Sequence, residues 1–68
     1  MFTTLERARI QQATWAYIQA IRNPLKRHYA LLMIGHLSEG MPEPERPSGL
    51  SFMAAQAVRM QLAELRRE

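Results

Sequence analysis

The segment PLKRHYALLMIGHLSE, residues 24–39, decides the fold of this 68-residue chain. Placed on an α-helix, it carries apolar side chains and one histidine around well over half of its circumference. These positions are Leu25, Tyr29, Ala30, Leu32, Met33, Ile34, His36 and Leu37. A helix of this kind needs neighbours that cover it nearly all round. We therefore predict an all-α fold, a small three-helix domain over residues 1–68.

Length and composition favour one domain that associates with itself. A chain of 68 residues with 47% hydrophobic side chains has one small core and little spare stability. It contains no cysteine, which excludes disulfides and thiolate metal sites. Since small domains without such staples are often stabilised by association, we expect a homodimeric helical bundle.

The chain has no apolar run long enough for a signal peptide or a membrane span, so we expect a cytoplasmic protein that does not enter a membrane. Eight of its nine basic residues are arginine, which is typical of a GC-rich bacterial or phage gene. The formal net charge of +3 fits either nucleic acid or an acidic protein as a partner.

The first helix is predicted over residues 4–22. Thr3 and Glu6 have the spacing of a capping box at its start. Its core-facing stripe is predicted to contain Ile10, Ala13, Tyr17, Ala20 and Ile21.

A second ridge follows the polar side of the same helix. Gln11, Trp15, Ile18 and Arg22 lie along this ridge, and it resembles the anchor and polar rim of a protein interface. Three interpretations stay open for Trp15: cover by the rest of the chain, self-association, or binding of another protein.

Asn23 and Pro24 separate the first helix from the second, which is predicted over residues 24–39. Asn23 is a good N-cap and Pro24 suits a first helical position. The two helices form a hairpin or one bent rod, and the turn character of Asn-Pro favours the hairpin. Gly40 is predicted to end the second helix, and residues 40–51 form a proline-rich linker.

Ser51 is the predicted N-cap of a third helix over residues 52–67. Its core seam contains Ala54, Ala55, Val58, Leu62 and Leu65. A smaller stripe of Met53, Ala57 and Met60 lies on another side, where it is gap-filling core or a binding surface.

Catalytic and metal-binding patterns are absent from the sequence. The chain has no aspartate, no nucleophile motif and no glycine-rich phosphate loop. His28 and His36 are eight residues apart, which does not bring two imidazoles to one metal on a helix. His36 is predicted to hydrogen-bond a carbonyl or a tyrosine, and His28 to be solvated. We expect no enzyme, cofactor or metal.

The sequence favours stoichiometric binding of another, unidentified protein, as a regulator, adaptor or inhibitor, for example a phage protein that blocks a host factor. The predicted binding residues are Gln11, Trp15, Ile18, Arg22, Met53 and Met60. The alternative is a small basic DNA-binding or transcription-regulatory protein. Its contacts would be Arg22, Lys26, Arg27, Arg59 and Arg66.

Overall fold

The computed structural model describes residues 3–66, which form three α-helices. They are α1 (Thr4–Ala20), α2 (Pro24–Ser38) and α3 (Phe52–Leu65), and each helix packs against the other two. Residues 3–66 contain no β-strand, so the prediction of an all-α fold is confirmed. The predicted end of the third helix at residue 67 lies outside the described residues. Within them, no helix is long and apolar enough to cross a bilayer.

The helices begin at the predicted N-caps, Thr3, Asn23 and Ser51. In each, the side-chain oxygen accepts a hydrogen bond from a backbone N–H two or three residues further on, at 2.9–3.2 Å. These bonds satisfy donors that have no partner within the helix. At the first cap the Thr3 hydroxyl also donates to the Glu6 carboxylate at 3.1 Å.

The joint between α1 and α2 is longer than the sequence predicts. α1 ends at Ala20, two residues before the predicted end at residue 22, and Ile21 has an extended backbone with ψ 120°. Asn23 is extended as well, with ψ 117°, because a residue before proline is disfavoured in the α region. The Arg27 guanidinium donates to the Ile21 carbonyl from Nη2 at 2.6 Å and from Nε at 3.0 Å. α2 then folds back along α1, as the hairpin interpretation predicts.

The end of α2 is a left-handed cap at the predicted Gly40. The Met41 N–H donates to the His36 carbonyl at 2.8 Å, and the Gly40 N–H donates to the Leu37 carbonyl at 3.3 Å. Gly40 has φ 70°, a region that favours glycine. This pair of bonds is a Schellman motif, and it ends α2 at Ser38, one residue before the predicted end.

The connection from α2 to α3 is tied to the core by Leu50. Leu50 is 2% exposed, and its N–H donates to the Pro47 carbonyl at 3.0 Å. The Arg46 guanidinium donates to the Leu50 carbonyl. Leu50 is not among the core residues that the sequence predicts, although it holds the segment against the helices.

All three helices and the connection contribute to one hydrophobic core. Its buried apolar residues are Ile18, Ile21, Tyr29, Ala30, Met33, Leu50, Ala55, Val58 and Leu62. The predicted seam of α3 is confirmed at Ala55, Val58 and Leu62, while Ala54 and Leu65 are half-buried.

The face that α1 turns to the core differs from the predicted stripe. Of the predicted stripe, Ile21 is buried and Ile10 and Tyr17 are half-buried, whereas Ala13 and Ala20 are exposed. Thr14 and Ile18 are buried as well and lie on one helix face with Ile21, at the i, i+4, i+7 spacing. The prediction that Ile18 lies on an outer ridge is therefore wrong. Ile18 is part of the core that the three helices share.

Most of the predicted apolar face of α2 is covered by the rest of the chain. Tyr29, Ala30 and Met33 are buried, and the other predicted positions are half-buried except Leu32, which is 37% exposed. The prediction that neighbours cover this face is therefore wrong only at Leu32. Leu31, which the predicted face did not include, is 42% exposed.

Candidate protein-binding surface

An open groove of about 840 Å³ runs between α1 and α2. We call it the α1–α2 groove. Its lining combines apolar side chains with a polar rim: Arg7, Ala8, Ile10, Gln11, Gln12, Thr14, Trp15, Ile18, Leu31, Ile34, Ser38 and Arg66. The antiparallel packing creates it, because the first half of α1 lies beside the second half of α2.

Trp15 is the largest side chain in the α1–α2 groove and is 54% exposed. Leu31 lines the groove from α2 and is 42% exposed. Ile18 and Thr14 are buried and form part of the floor. An exposed indole next to an apolar floor is the kind of anchor that carries a large share of the binding energy in protein interfaces.

The predicted binding residues fall on three separate surfaces. Gln11 and Trp15 line the α1–α2 groove, with Ile18 beneath them in the core. Arg22 is exposed, but it lines a small cleft at the α1–α2 joint instead. The two methionines lie on α3, outside both of these sites.

Met53, Ala57 and Met60 form the exposed stripe of α3, which we call the α3 ridge. Met53 is 76% and Met60 is 64% exposed, and Ala57 is exposed too. Their i, i+4, i+7 spacing places them on one face, opposite the buried seam. The alternative that these methionines fill the chain's own core is therefore wrong.

Sequence reasoning missed half of the α1–α2 groove. Leu31 and Ile34 line it from α2, and Arg7 and Arg66 line it near the first turns of α1 and the end of α3. The pairing of a residue near position 7 with one near position 38 follows only from the packing of two antiparallel helices. The spacing of Leu31 and Ile34 on α2 was the one available signal.

The two histidines of α2 have different surroundings. His36 Nδ1 lies 2.9 Å from the Pro42 carbonyl oxygen, so this nitrogen carries the proton and donates, which confirms the predicted bond to a carbonyl. His28 is exposed, as predicted. Among residues 3–66 no three metal-ligating side chains of His, Asp or Glu come together.

Several of the basic side chains already have partners within the chain. The Arg27 guanidinium caps α1, and Arg59 Nε lies 3.2 Å from Glu43 Oε2 in an ion pair without good hydrogen-bond geometry. Arg22 and Lys26 line the small cleft at the joint, whereas Arg66 lies at the α1–α2 groove. The five predicted nucleic-acid contacts therefore do not form one patch.

Comparison of the chain with protein-family models, curated proteins and solved structures gives no significant match. Its function is therefore inferred from the chemistry of its own surface.

Proposed function

We propose that this protein acts without catalysis, by stoichiometric binding of another protein in the α1–α2 groove. The observation that carries the proposal is Trp15, 54% exposed at the edge of an apolar groove. Exposed apolar area of this kind is unfavourable in water and becomes favourable when a partner covers it. Such a protein would serve as a small regulator, adaptor or inhibitor.

The proposed contacts differ from the sequence prediction in one respect. Gln11 and Trp15 stay in the binding set, and Leu31 and Ile34 join them from α2. Ile18 leaves the set of direct anchors because its side chain is 2% exposed. Its role is to support the floor on which a partner's side chain would rest.

We further propose a homodimer that forms through the α3 ridge. A folded monomer of 7.9 kDa is expected to expose about 4,400 Å², and this chain exposes 5153 Å². The excess of roughly 700 Å² belongs to the chain as a whole and is similar in size to the ~800 Å² that each partner buries in a standard interface. Met53 and Met60 supply flexible apolar area for such a contact, on a face separate from the α1–α2 groove.

The dimer is tested by light scattering. The measured mass should be twice the 7.9 kDa of the chain, and Met53→Glu combined with Met60→Glu should return it to the monomer value. Leu5→Glu is the matched control, because Leu5 is 63% exposed and lies outside both surfaces. A monomeric wild type would contradict the dimer.

A nucleic-acid role is the second candidate, supported by Arg22 and Lys26 at one cleft. It ranks lower because the Arg27 guanidinium is bonded to the Ile21 carbonyl. Duplex DNA at low ionic strength should shift the protein on a gel if this role holds, and Arg22→Ala should weaken the shift. No shift under these conditions would remove the candidate.

The protein-binding proposal is tested by affinity capture from an extract of the source organism. Wild type and Phe52→Ala should retain the same partner in a fixed ratio to the bait, and Trp15→Ala should lose it. Phe52 is a matched control, since it is 61% exposed and aromatic but outside the α1–α2 groove. Retention of the same proteins by all three baits would overturn the proposal.

A further inference from the structure

Among residues 3–66, the charged side chains that line the α1–α2 groove are all of one sign. Arg7 and Arg66 line it, and no carboxylate of these residues does. Neither guanidinium has an ion-pair partner among residues 3–66, in contrast to Arg59, which pairs with Glu43. Both arginines are exposed. Within the part of the chain that the structure describes, the groove therefore combines an apolar floor with two positive charges that no carboxylate pairs with.

These two charges lie towards the same end of the groove. Arg7 is in the first turns of α1, Arg66 is the C-cap of α3, and Ser38 is the last residue of α2. The apolar wall formed by Trp15 and Ile18 lies further along α1. A ligand that fits the groove thus needs apolar groups along its length and negative charge at one end.

The length and the walls of the groove favour a helical ligand. From Arg7 to Ile18 the groove follows α1 for about 16 Å, at 1.5 Å per residue, which is three turns of a docked helix. Both walls are helices whose backbone groups are bonded internally, so an extended strand would find no unpaired N–H or C=O there. The backbone hydrogen bonds of a docked helix are already made within the helix, and its side chains at i, i+4 and i+7 face the groove.

From this geometry we infer that the occupant of the α1–α2 groove is an amphipathic helix of a partner protein with acidic residues at one end. Its apolar face packs against Trp15, Leu31 and Ile34, and its carboxylates pair with Arg7 and Arg66. This inference rests on the proposed function and specifies the chemistry of the partner. Nucleic acid would satisfy the arginines but leave the apolar floor uncovered.

A displayed library of amphipathic helices about 18 residues long, long enough to form a stable helix on binding, tests the inference. The positions at each end vary among Glu, Gln and Lys. Peptides that bind the Trp15→Ala variant are first removed from the library. Selection of the remaining peptides on the wild-type protein should then enrich Glu at one end. In calorimetry a selected peptide should bind about fivefold more tightly than its Gln counterpart at low salt, and the difference should shrink at high salt.

Charge reversal on the protein provides the matched comparison. Arg7→Glu should abolish the preference for Glu peptides or turn it towards Lys peptides. Arg9→Glu should leave the preference unchanged, because Arg9 is exposed on the same helix but does not line the groove. The two variants have the same net charge, so a general electrostatic effect would change both equally and would overturn the inference.

The other outcomes separate this inference from the proposed function. If Gln and Glu peptides bind equally, the acidic partner is wrong while binding in the groove stands. If no helix is selected, the helical occupant is wrong, and the capture experiment alone decides the proposed function. If Trp15→Ala dissociates a dimer, a second copy of this chain occupies the groove and the inference fails.

Discussion

Replacing Ile18 by alanine is expected to lower the free energy of unfolding far more than the same change at Trp15. The two residues are three positions apart on α1, yet Ile18 is 2% exposed and Trp15 is 54% exposed. Ile18→Ala removes about three buried carbons, worth ~0.8 kcal/mol each, and leaves a cavity of roughly 60 Å³, worth ~1.4 kcal/mol more. The expected loss is about 4 kcal/mol, most of the stability of so small a domain.

The loss at Trp15 is smaller because half of the residue is already in water. An indole side chain offers up to ~250 Å², so at 54% exposure roughly 115 Å² is covered, and alanine would keep about half of that cover. The remaining 60 Å² or so corresponds to about 1.5 kcal/mol, which is an upper estimate because the unfolded chain is not fully extended.

Urea unfolding followed by far-ultraviolet circular dichroism measures both changes without relying on Trp15 as the probe. Protein concentration must be the same for all variants, because the proposed dimer would make apparent stability depend on it. We expect Ile18→Ala to be unfolded or nearly so at 25 °C, and Trp15→Ala to shift the midpoint modestly. Equal losses, or a larger loss at Trp15, would show that α1 presents the other face to the core.

Three further predictions concern single side chains. Tyr29→Phe should leave stability unchanged or raise it by up to about 1 kcal/mol in thermal unfolding, because the buried Tyr29 hydroxyl has no hydrogen-bond partner among residues 3–66. Gly40→Ala should lower the urea midpoint by the equivalent of about 1 kcal/mol, and Gly40→Asn by less, because φ is 70°. Burial raises the pKa of the Tyr17 phenol above its ordinary value of 10.0. The contribution of the neutral phenol to the free energy of unfolding is therefore constant below that pH and is lost as the pH rises above it. Tyr17→Phe should therefore reduce the loss of stability in alkaline solution, measured by urea unfolding across that range.

The helix ends could be predicted from the sequence because capping is local chemistry. Asn23 and Ser51 each need only the next two or three backbone N–H groups to act as N-caps. Gly40 needs only a left-handed backbone and two carbonyls of the preceding turn. These assignments need no information about the rest of the fold, which is why the sequence alone predicts them correctly.

The orientation of α1 could not be predicted in the same way. Its apolar residues occur on every side, so several faces are about equally good candidates for the core. Packing against α2 and α3 selects the face with Ile18, and it accepts Thr14 as a buried neighbour. That choice depends on the shape of the space between two other helices, which the sequence of α1 does not contain.

Leu50 and the α1–α2 groove were missed for related reasons. A residue in a connection has no helical periodicity that would indicate burial, and Leu50 is 2% exposed for reasons of tertiary packing. The groove requires Trp15 and Leu31 to lie on facing helices. The sequence predicted an anchor on α1, but the opposite wall appears only when the hairpin closes.

The accessibility of Trp15 in the free protein is the most direct test of the account. Trp15 is the single tryptophan of the chain, so its fluorescence reports on the α1–α2 groove without labelling. At concentrations where the proposed dimer forms through the α3 ridge, we predict the red emission of a hydrated indole and ready quenching by acrylamide. Blue-shifted emission that acrylamide cannot quench would contradict the account, since the groove would then already be filled by the chain's own assembly.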